Sequence, residues 1–198
     1  MNNRKEQILL ATLELATQYG LNAISMSQIA QKVGIQKPSL YNHFKSKDEI
    51  ISSIYEYIRD NAQKNATSDN ADIGEFIKSN SAVTVLTYAV TNYLNMSKDD
   101  KLFSFYKVIY AERAINADAA KIMAEETKRM INATKNIFYA LQVHGKINVK
   151  DIDTAAFSFA MSIHSIMDYQ FDCEAAQIAF DENIMQNYIK WFCENIGA

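Results

Sequence analysis

The chain has 198 residues and a formal net charge of −3, enough for one ordinary domain or two small ones. With only 5 Gly and 1 Pro, it has little material for β-hairpins or glycine-rich phosphate loops. No apolar run is long enough to cross a bilayer, no apolar signal segment follows Met1, and 2 Cys cannot make a disulfide framework. We therefore expect an all-α, cytoplasmic protein that is not bound to a membrane and holds no metal or cofactor.

The charge is distributed unevenly along the chain. Residues 1–47 carry six basic side chains and two acidic ones, whereas the remainder is acidic overall. A basic N-terminal segment on an acidic protein indicates a partner that is a polyanion.

The first two predicted helices are bounded by glycines. Apolar residues at three- and four-residue spacing predict a helix over residues 4–19, which Gly20 ends. Ser25 and Gln28 then form the pattern of a capping box, in which each residue bonds the backbone of the other. This box opens a short helix over residues 26–33, and Gly34 ends it.

A third helix begins at Lys37, with Pro38 in its first turn, where a missing N–H group is harmless. Ser46 and Glu49 form a second capping-box pattern, which opens a helix that runs to about residue 65. The polar, aperiodic stretch that follows, 66–72, predicts a loop and a domain boundary.

The remaining chain is predicted to be helical, which brings the total to about nine helices. The five further stretches are 73–96, 100–116, 118–144, 151–171 and 181–196.

The stretch 25–44 has the outline of a helix-turn-helix, in which two short helices are joined by a tight turn containing glycine. Apolar positions would hold the two helices together, namely Ile29, Ala30, Ile35 and Leu40. The second helix would then present polar groups to a DNA groove. From the pattern alone, an ordinary helical hairpin with a solvated polar face fits equally well.

The stretch 20–50 resembles the DNA-binding domain of TetR-family transcriptional regulators. The residues that carry the resemblance are Ile29-Ala30, Gly34, Leu40-Tyr41, His43-Phe44, Ser46-Lys47 and Glu49. Two positions depart from the commonest pattern, because Gln36 replaces a usual Ser and Pro38 a usual Gly. We interpret these departures as a change in DNA contacts with the fold retained.

The resemblance implies a three-helix DNA-binding domain over residues 1–47, followed by a helical ligand-binding and dimerisation domain over 48–198, with 48–65 as the linking helix. It also implies a set of DNA contacts, in which Lys37 and Lys47 bind phosphate or bases and Tyr41 either contacts DNA or packs on the helix pair. The full set is Ser25, Ser27, Gln36, Lys37, Pro38, Ser39, Tyr41, Asn42, His43 and Lys47.

The C-terminal part is dense in aromatic and Met side chains, most of which we expect to be core. Ligand contacts would be drawn from Tyr88, Asn92, Phe103, Tyr106, Tyr110, Glu112, Arg113, Met130, Phe138, Phe157, His164 and Met167. For His164, a hydrogen-bonded core or interface position is the more common alternative. The last two predicted helices are apolar on more than one stripe, which predicts a symmetric homodimer. Its interface would contain Phe159, Ile163, Met167, Met185, Tyr188, Ile189 and Phe192.

Three functions fit these observations. The first is a dimeric regulator, most simply a repressor, that binds a palindromic double-stranded operator and is released by a small, largely apolar or aromatic effector. The second is a helical enzyme, although the sequence contains no HExxH, nucleophile elbow, metal-ligand spacing or phosphate loop. The third is a helical adaptor that binds protein. We predict the regulator and no enzymatic activity.

Overall fold

In a computed structural model, the protein is described over residues 3–66, 73–96 and 100–196, and these ranges contain helices and no strand. The all-α prediction is therefore confirmed. The helices are α1 (Asn3–Tyr19), α2 (Met26–Val33), α3 (Lys37–Tyr41), α4 (Lys47–Ala66), α5 (Ile73–Ser79), α6 (Ala82–Met96), α7 (Asp100–Glu112), α8 (Ala117–Val143), α9 (Ile152–Ala176) and α10 (Ile184–Asn195).

The helices pack as two compact units. The first contains the described residues of 1–69 and 95–125, and its core draws on α1, α2, α3, α4 and α7. Fully buried side chains from these helices are Ile8, Ile29, Leu40, Ile50 and Phe105. The first unit includes residues on both sides of the domain boundary predicted at residue 47, and that boundary stays a prediction.

The second unit contains the described residues of 70–94 and 126–198. Its centre is aromatic: the ring centroids of Phe138 and Phe159 lie 5.6 Å apart, and those of Phe159 and Phe192 lie 5.0 Å apart. Leu86 of α6 and Ile77 of α5 join the same core. Cys173 and Cys193 are both buried as free thiols, and burial raises the pKa of Cys193 to about 11.

Four helix boundaries differ from the predicted ones. Helix α7 ends at Glu112, four residues before the predicted residue 116, because Asn116 accepts the Ala119 N–H at 3.1 Å and caps the next helix, α8. The stretch 73–96 is two helices, because Ser81 accepts the Thr84 N–H at 3.2 Å and starts a new helix there. Helix α9 continues past residue 171 to Ala176, and Gln177 ends it in a left-handed conformation with φ of 56°. Helix α10 begins at Ile184, since Asp181 accepts the Asn183 N–H in the preceding turn.

Among the described residues, no helix combines the length and apolar character that crossing a membrane requires.

Candidate DNA-binding site

The start of α2 is set by the predicted capping box. The Ser25 hydroxyl accepts the Gln28 N–H at 3.3 Å, and the Gln28 side-chain oxygen accepts the Ser25 N–H at 2.8 Å. Both bonds satisfy N–H groups that the first turn of a helix leaves without partners. The capping box therefore places the first residue of α2 at Met26, as the sequence predicts.

The turn between α2 and α3 depends on Gly34. Its φ of 73° is left-handed, and the Ile35 N–H then donates to the Ala30 carbonyl at 2.9 Å to close the end of α2. Pro38 lies in the first turn of α3. The buried side chains Ile29 and Leu40 belong to one core, so α2 and α3 pack together as a helix-turn-helix.

The polar residues that the sequence nominates around α3 lie mostly on the protein surface. The exposed ones are Ser27, Gln36, Lys37, Pro38, Ser39, Tyr41 and Asn42. The Tyr41 side chain is 45% exposed. Two roles are predicted for it, contact with DNA and packing on the helix pair, and this exposure favours contact with DNA. A compact polar surface with a cation at its centre is accessible to phosphates and base edges.

The other three residues nominated as DNA contacts are Ser25, His43 and Lys47, and each is partly buried or bonded within the protein. The exposed Ser25 is engaged in the cap, and His43 is half-buried at the end of the helix pair. The Lys47 ammonium donates to the carbonyls of Leu21 at 2.6 Å and Ile24 at 3.2 Å. Two of its three protons are thus used within the protein, and its contact with phosphate stays a prediction.

The second predicted capping box, at the start of α4, forms in a modified way. The Ser46 hydroxyl accepts the Glu49 N–H at 3.1 Å, as predicted. The Glu49 carboxylate, however, accepts the N–H of Lys45 at 2.5 Å, one residue before the expected Ser46. The acid therefore also holds the segment that joins α3 to α4.

Two basic side chains of this region have partners inside the protein. Lys32 of α2 forms an ion pair with Glu14 of α1, and the Lys5 ammonium lies 5.4 Å from the centre of the Phe44 ring. The exposed Lys37 is placed at the first residue of α3. Its charge therefore belongs to the surface exposed at the start of α3.

Glu112 has a contact that the sequence does not predict. It was nominated for a ligand site, but one carboxylate oxygen accepts the N–H of Leu21, in the turn between α1 and α2. Its side chain is buried, with 9% exposed. Because 91 residues separate the two partners, no local spacing in the sequence could predict this bond.

The structure distributes the nominated ligand residues over both units. The first unit holds Tyr106, Tyr110, Glu112 and Arg113, and the second holds Tyr88, Asn92, Met130, Phe138, Phe157, His164 and Met167. The side chain of Phe103 lies outside the described residues. Phe138 is fully buried in its core, and the His164 Nδ1 lies 3.6 Å from a carboxylate oxygen of Asp168. The ligand site stays a prediction.

Four of the nominated dimer residues are already buried inside the chain. Phe159, Ile163, Ile189 and Phe192 are at most 5% exposed and belong to the core of the second unit. Met167, Met185 and Tyr188 are partly buried against the same core. Other residues form the exposed stripe of α9 and α10, namely Phe157 and Met161 of α9 and Trp191 of α10.

That exposed stripe borders an open groove of about 550 Å³. Its lining is Thr154, Phe157, Ser158, Met161, Ser162, Ser165, Ile166 and Tyr188. Phe157 is 50% exposed, and Trp191, one turn beyond Tyr188, is 57% exposed. Large apolar side chains left on one helical face are typical of an interaction surface.

No group of three or more His, Cys, Asp or Glu side chains that could hold a metal ion occurs within the described ranges.

Two sequence families cover most of the chain. Residues 8–54 match "Bacterial regulatory proteins, tetR family", and residues 84–189 match "AefR-like transcriptional repressor, C-terminal domain". The first match includes the whole helix-turn-helix. The second includes most of α6, the first half of α10 and everything described between them.

Individual relatives match over about a third of this chain. The chain is 28% identical over 78 residues to the class C tetracycline repressor protein of Escherichia coli, a match that covers 39% of this chain and 36% of that protein. It is 37% identical over 60 residues to the transcriptional activator FasR of Mycolicibacterium smegmatis, covering 30% of this chain and 27% of that protein. The matched stretch thus spans about a third of the length of these relatives.

Over its full length, the fold is similar to that of a TetR-family transcriptional regulator from Mesorhizobium loti. The TM-score is 0.72 with 17% identity, and the match covers 98% of this chain and 97% of the other. At 17% identity, this similarity shows that the two proteins share a fold. Together with the two family matches, it shows that the chain belongs to the TetR family of DNA-binding transcriptional regulators.

Proposed function

We propose that the protein is a repressor that binds a palindromic operator as a homodimer and is released by a small, largely apolar or aromatic effector. The single observation that carries this proposal is the exposed polar surface of the helix-turn-helix, centred on Lys37 at the start of α3. The match of residues 84–189 to a repressor family supports repression over activation.

In this proposal, α3 reads the major groove. A helix presented by a helix-turn-helix contacts base edges with its first residues, and the cations around it bind phosphate. Gln36, Ser39 and Asn42 are exposed and carry groups that hydrogen-bond to bases or sugars. Lys37 supplies charge at the same place.

A dimer is proposed through the exposed stripe of α9 and α10. Two copies related by a two-fold axis would bury Phe157, Met161 and Trp191 against their equivalents. A symmetric pair places two α3 helices on successive major grooves, about 34–36 Å apart, and this geometry requires a palindromic site.

The effector is proposed from the composition of the second unit, in which aromatic side chains are dense. Phe76 and Tyr88, for example, have ring centroids 4.8 Å apart, and Tyr88 is 41% exposed. Such surroundings favour a planar, apolar compound. An effector that binds only the DNA-incompetent state would stabilise the protein by about 2.7 kcal/mol at one hundred times its dissociation constant.

The test begins with selection of bound sequences from a random duplex library, followed by mobility-shift assays with the selected site. We expect a two-fold symmetric sequence, affinity that falls steeply with salt, and lower transcription in vitro from a promoter that contains the site. A thermal-shift screen of planar apolar compounds should find stabilisers that also release the DNA. A helical enzyme or protein adaptor would show no salt-dependent DNA binding, and an activator would raise transcription.

A further inference from the structure

The turn between α1 and α2, residues Gly20–Ile24, is held by two charged side chains from distant parts of the chain. Glu112, the last residue of α7, accepts the N–H of Leu21. Lys47, the first residue of α4, donates to the carbonyls of Leu21 at 2.6 Å and Ile24 at 3.2 Å. A carboxylate and an ammonium therefore contact the same residue, one at its N–H and one at its carbonyl.

The buried carboxylate of Glu112 is unfavourable for the stability of the fold. One oxygen is bonded to Leu21, whereas Oε2 is buried and has no hydrogen-bond partner within the described part of the chain. An unsatisfied buried carboxylate oxygen is destabilising, and a neutral amide would accept the same bond from Leu21. A carboxylate at this position therefore indicates a role in placing the turn, because a charged acceptor binds the Leu21 N–H more strongly than an amide does.

The turn has little freedom to move. Gly20 has a left-handed φ of 81°, and a Cβ atom there would lie 2.9 Å from Oε1 of Glu112. The side chains of Leu21 and Ile24 are 2% and 3% exposed and belong to the core of the first unit. Helix α2 begins at Met26, directly after the turn and its cap, so a displaced turn displaces α2 and the α3 helix packed on it.

We propose that Glu112 and Lys47 are positioning residues for DNA binding, which fix the Gly20–Ile24 turn and thereby the placement of α2 and α3. This inference rests on the proposed function. It gives Lys47 a role through the protein backbone in place of the phosphate contact predicted from its sequence position. It also means that a displacement of Glu112, at the end of α7, would be passed through the Gly20–Ile24 turn to α2 and α3.

The test uses Glu112→Ala, which removes the acceptor, and Lys47→Met, which removes the donors and keeps the stem. Affinity is measured for the selected site and for random duplex, each over a range of salt. We expect each variant to bind the selected site about three- to thirty-fold more weakly. Random-duplex affinity and salt slope should match the wild type, because no phosphate contact is lost. Glu125→Ala and Lys121→Met on α8 are the matched controls.

The double variant tests whether both residues act on one turn. If they do, the double variant should bind the selected site no more weakly than the weaker-binding single variant does. If the two residues act independently, their losses of binding free energy add. Additive losses overturn the inference. So does an unchanged ratio of specific to random affinity, and so does a salt slope lowered by about one unit for Lys47→Met.

Amide hydrogen exchange provides a readout that does not involve DNA. The Leu21 N–H should exchange faster in Glu112→Ala than in the wild type, and unchanged exchange overturns the proposed contact. A wild-type protein that binds no DNA would contradict the proposed function, while the exchange result would still test the turn. If Glu112→Ala fails to fold, Glu112→Gln takes its place: its amide accepts the Leu21 N–H in a weaker, neutral bond, so specific affinity should fall by less than the range given for Glu112→Ala, and unchanged specific affinity overturns the inference.

Discussion

At the scale of single residues, the two serines at the start of α2 have different roles although they are two positions apart. Ser25 accepts the Gln28 N–H and caps the helix, whereas Ser27 is exposed in the first turn. Both are nominated as DNA contacts, but only Ser25 also caps the helix and so determines its stability. Substitution can therefore separate folding from binding at this helix end.

Ser25→Ala should lower the free energy of unfolding by about 1 kcal/mol, since it removes an N-cap. Ser27→Ala is the matched control and should leave stability within about 0.5 kcal/mol of the wild type. Urea unfolding followed by circular dichroism measures both. Equal stability of the two variants would contradict the assigned cap.

Lys37→Ala should weaken binding to all duplexes and lower the slope of log affinity against log salt by about one unit, as the loss of one phosphate contact does. Lys121→Ala, an exposed lysine on α8, serves as control and should change neither quantity. An unchanged slope with altered sequence preference would instead assign Lys37 to base recognition.

At the scale of elements, the boundaries that follow from local chemistry were predictable. Capping patterns and glycines place both ends of α2, because those signals act within four residues. The division between α5 and α6 was missed because no glycine or proline lies at it, although the polar run 78–81 interrupts the apolar pattern there. The Ser81 cap was the signal that could have revealed it.

Contacts between distant segments could not be predicted in this way. Glu112 was nominated from its position in an apolar helix, but its partner Leu21 is determined by how α7 packs on α1. Likewise, the sequence of α10 has two apolar stripes, but the pattern could not say which stripe is buried. Ile189 and Phe192 are in the core, and Trp191 faces outward.

Gly34→Ala should lower the free energy of unfolding by about 1–2 kcal/mol, the cost of a left-handed conformation for a residue with a Cβ atom. No heavy atom lies within 4 Å of the position that the Cβ would take, so the effect is conformational and not steric. Gly34→Asn is the comparison variant. It should lose less, because Asn tolerates this conformation better. Calorimetry that gave equal losses would contradict the assigned conformation.

At the scale of the whole molecule, the proposed dimer gives the largest testable effect. Trp191→Glu puts a charge on the exposed stripe of α9 and α10 and should produce a monomer that folds normally. Val143→Glu is the matched control: Val143 is 81% exposed and belongs to α8, not to either helix of that stripe, so its variant should stay dimeric. Analytical ultracentrifugation measures both, and a wild-type chain that sediments as a monomer would refute the dimer.

The buried state of both native cysteines has a practical consequence. Thiolate is the form that reacts with maleimides, and a pKa of about 11 keeps the Cys193 thiol protonated at neutral pH. Cys173 is shielded by burial. An engineered Gln31→Cys, at an exposed position on α2, would then accept a fluorophore selectively in the folded protein. Such a label would report operator binding, and its release, in real time without removal of any native cysteine.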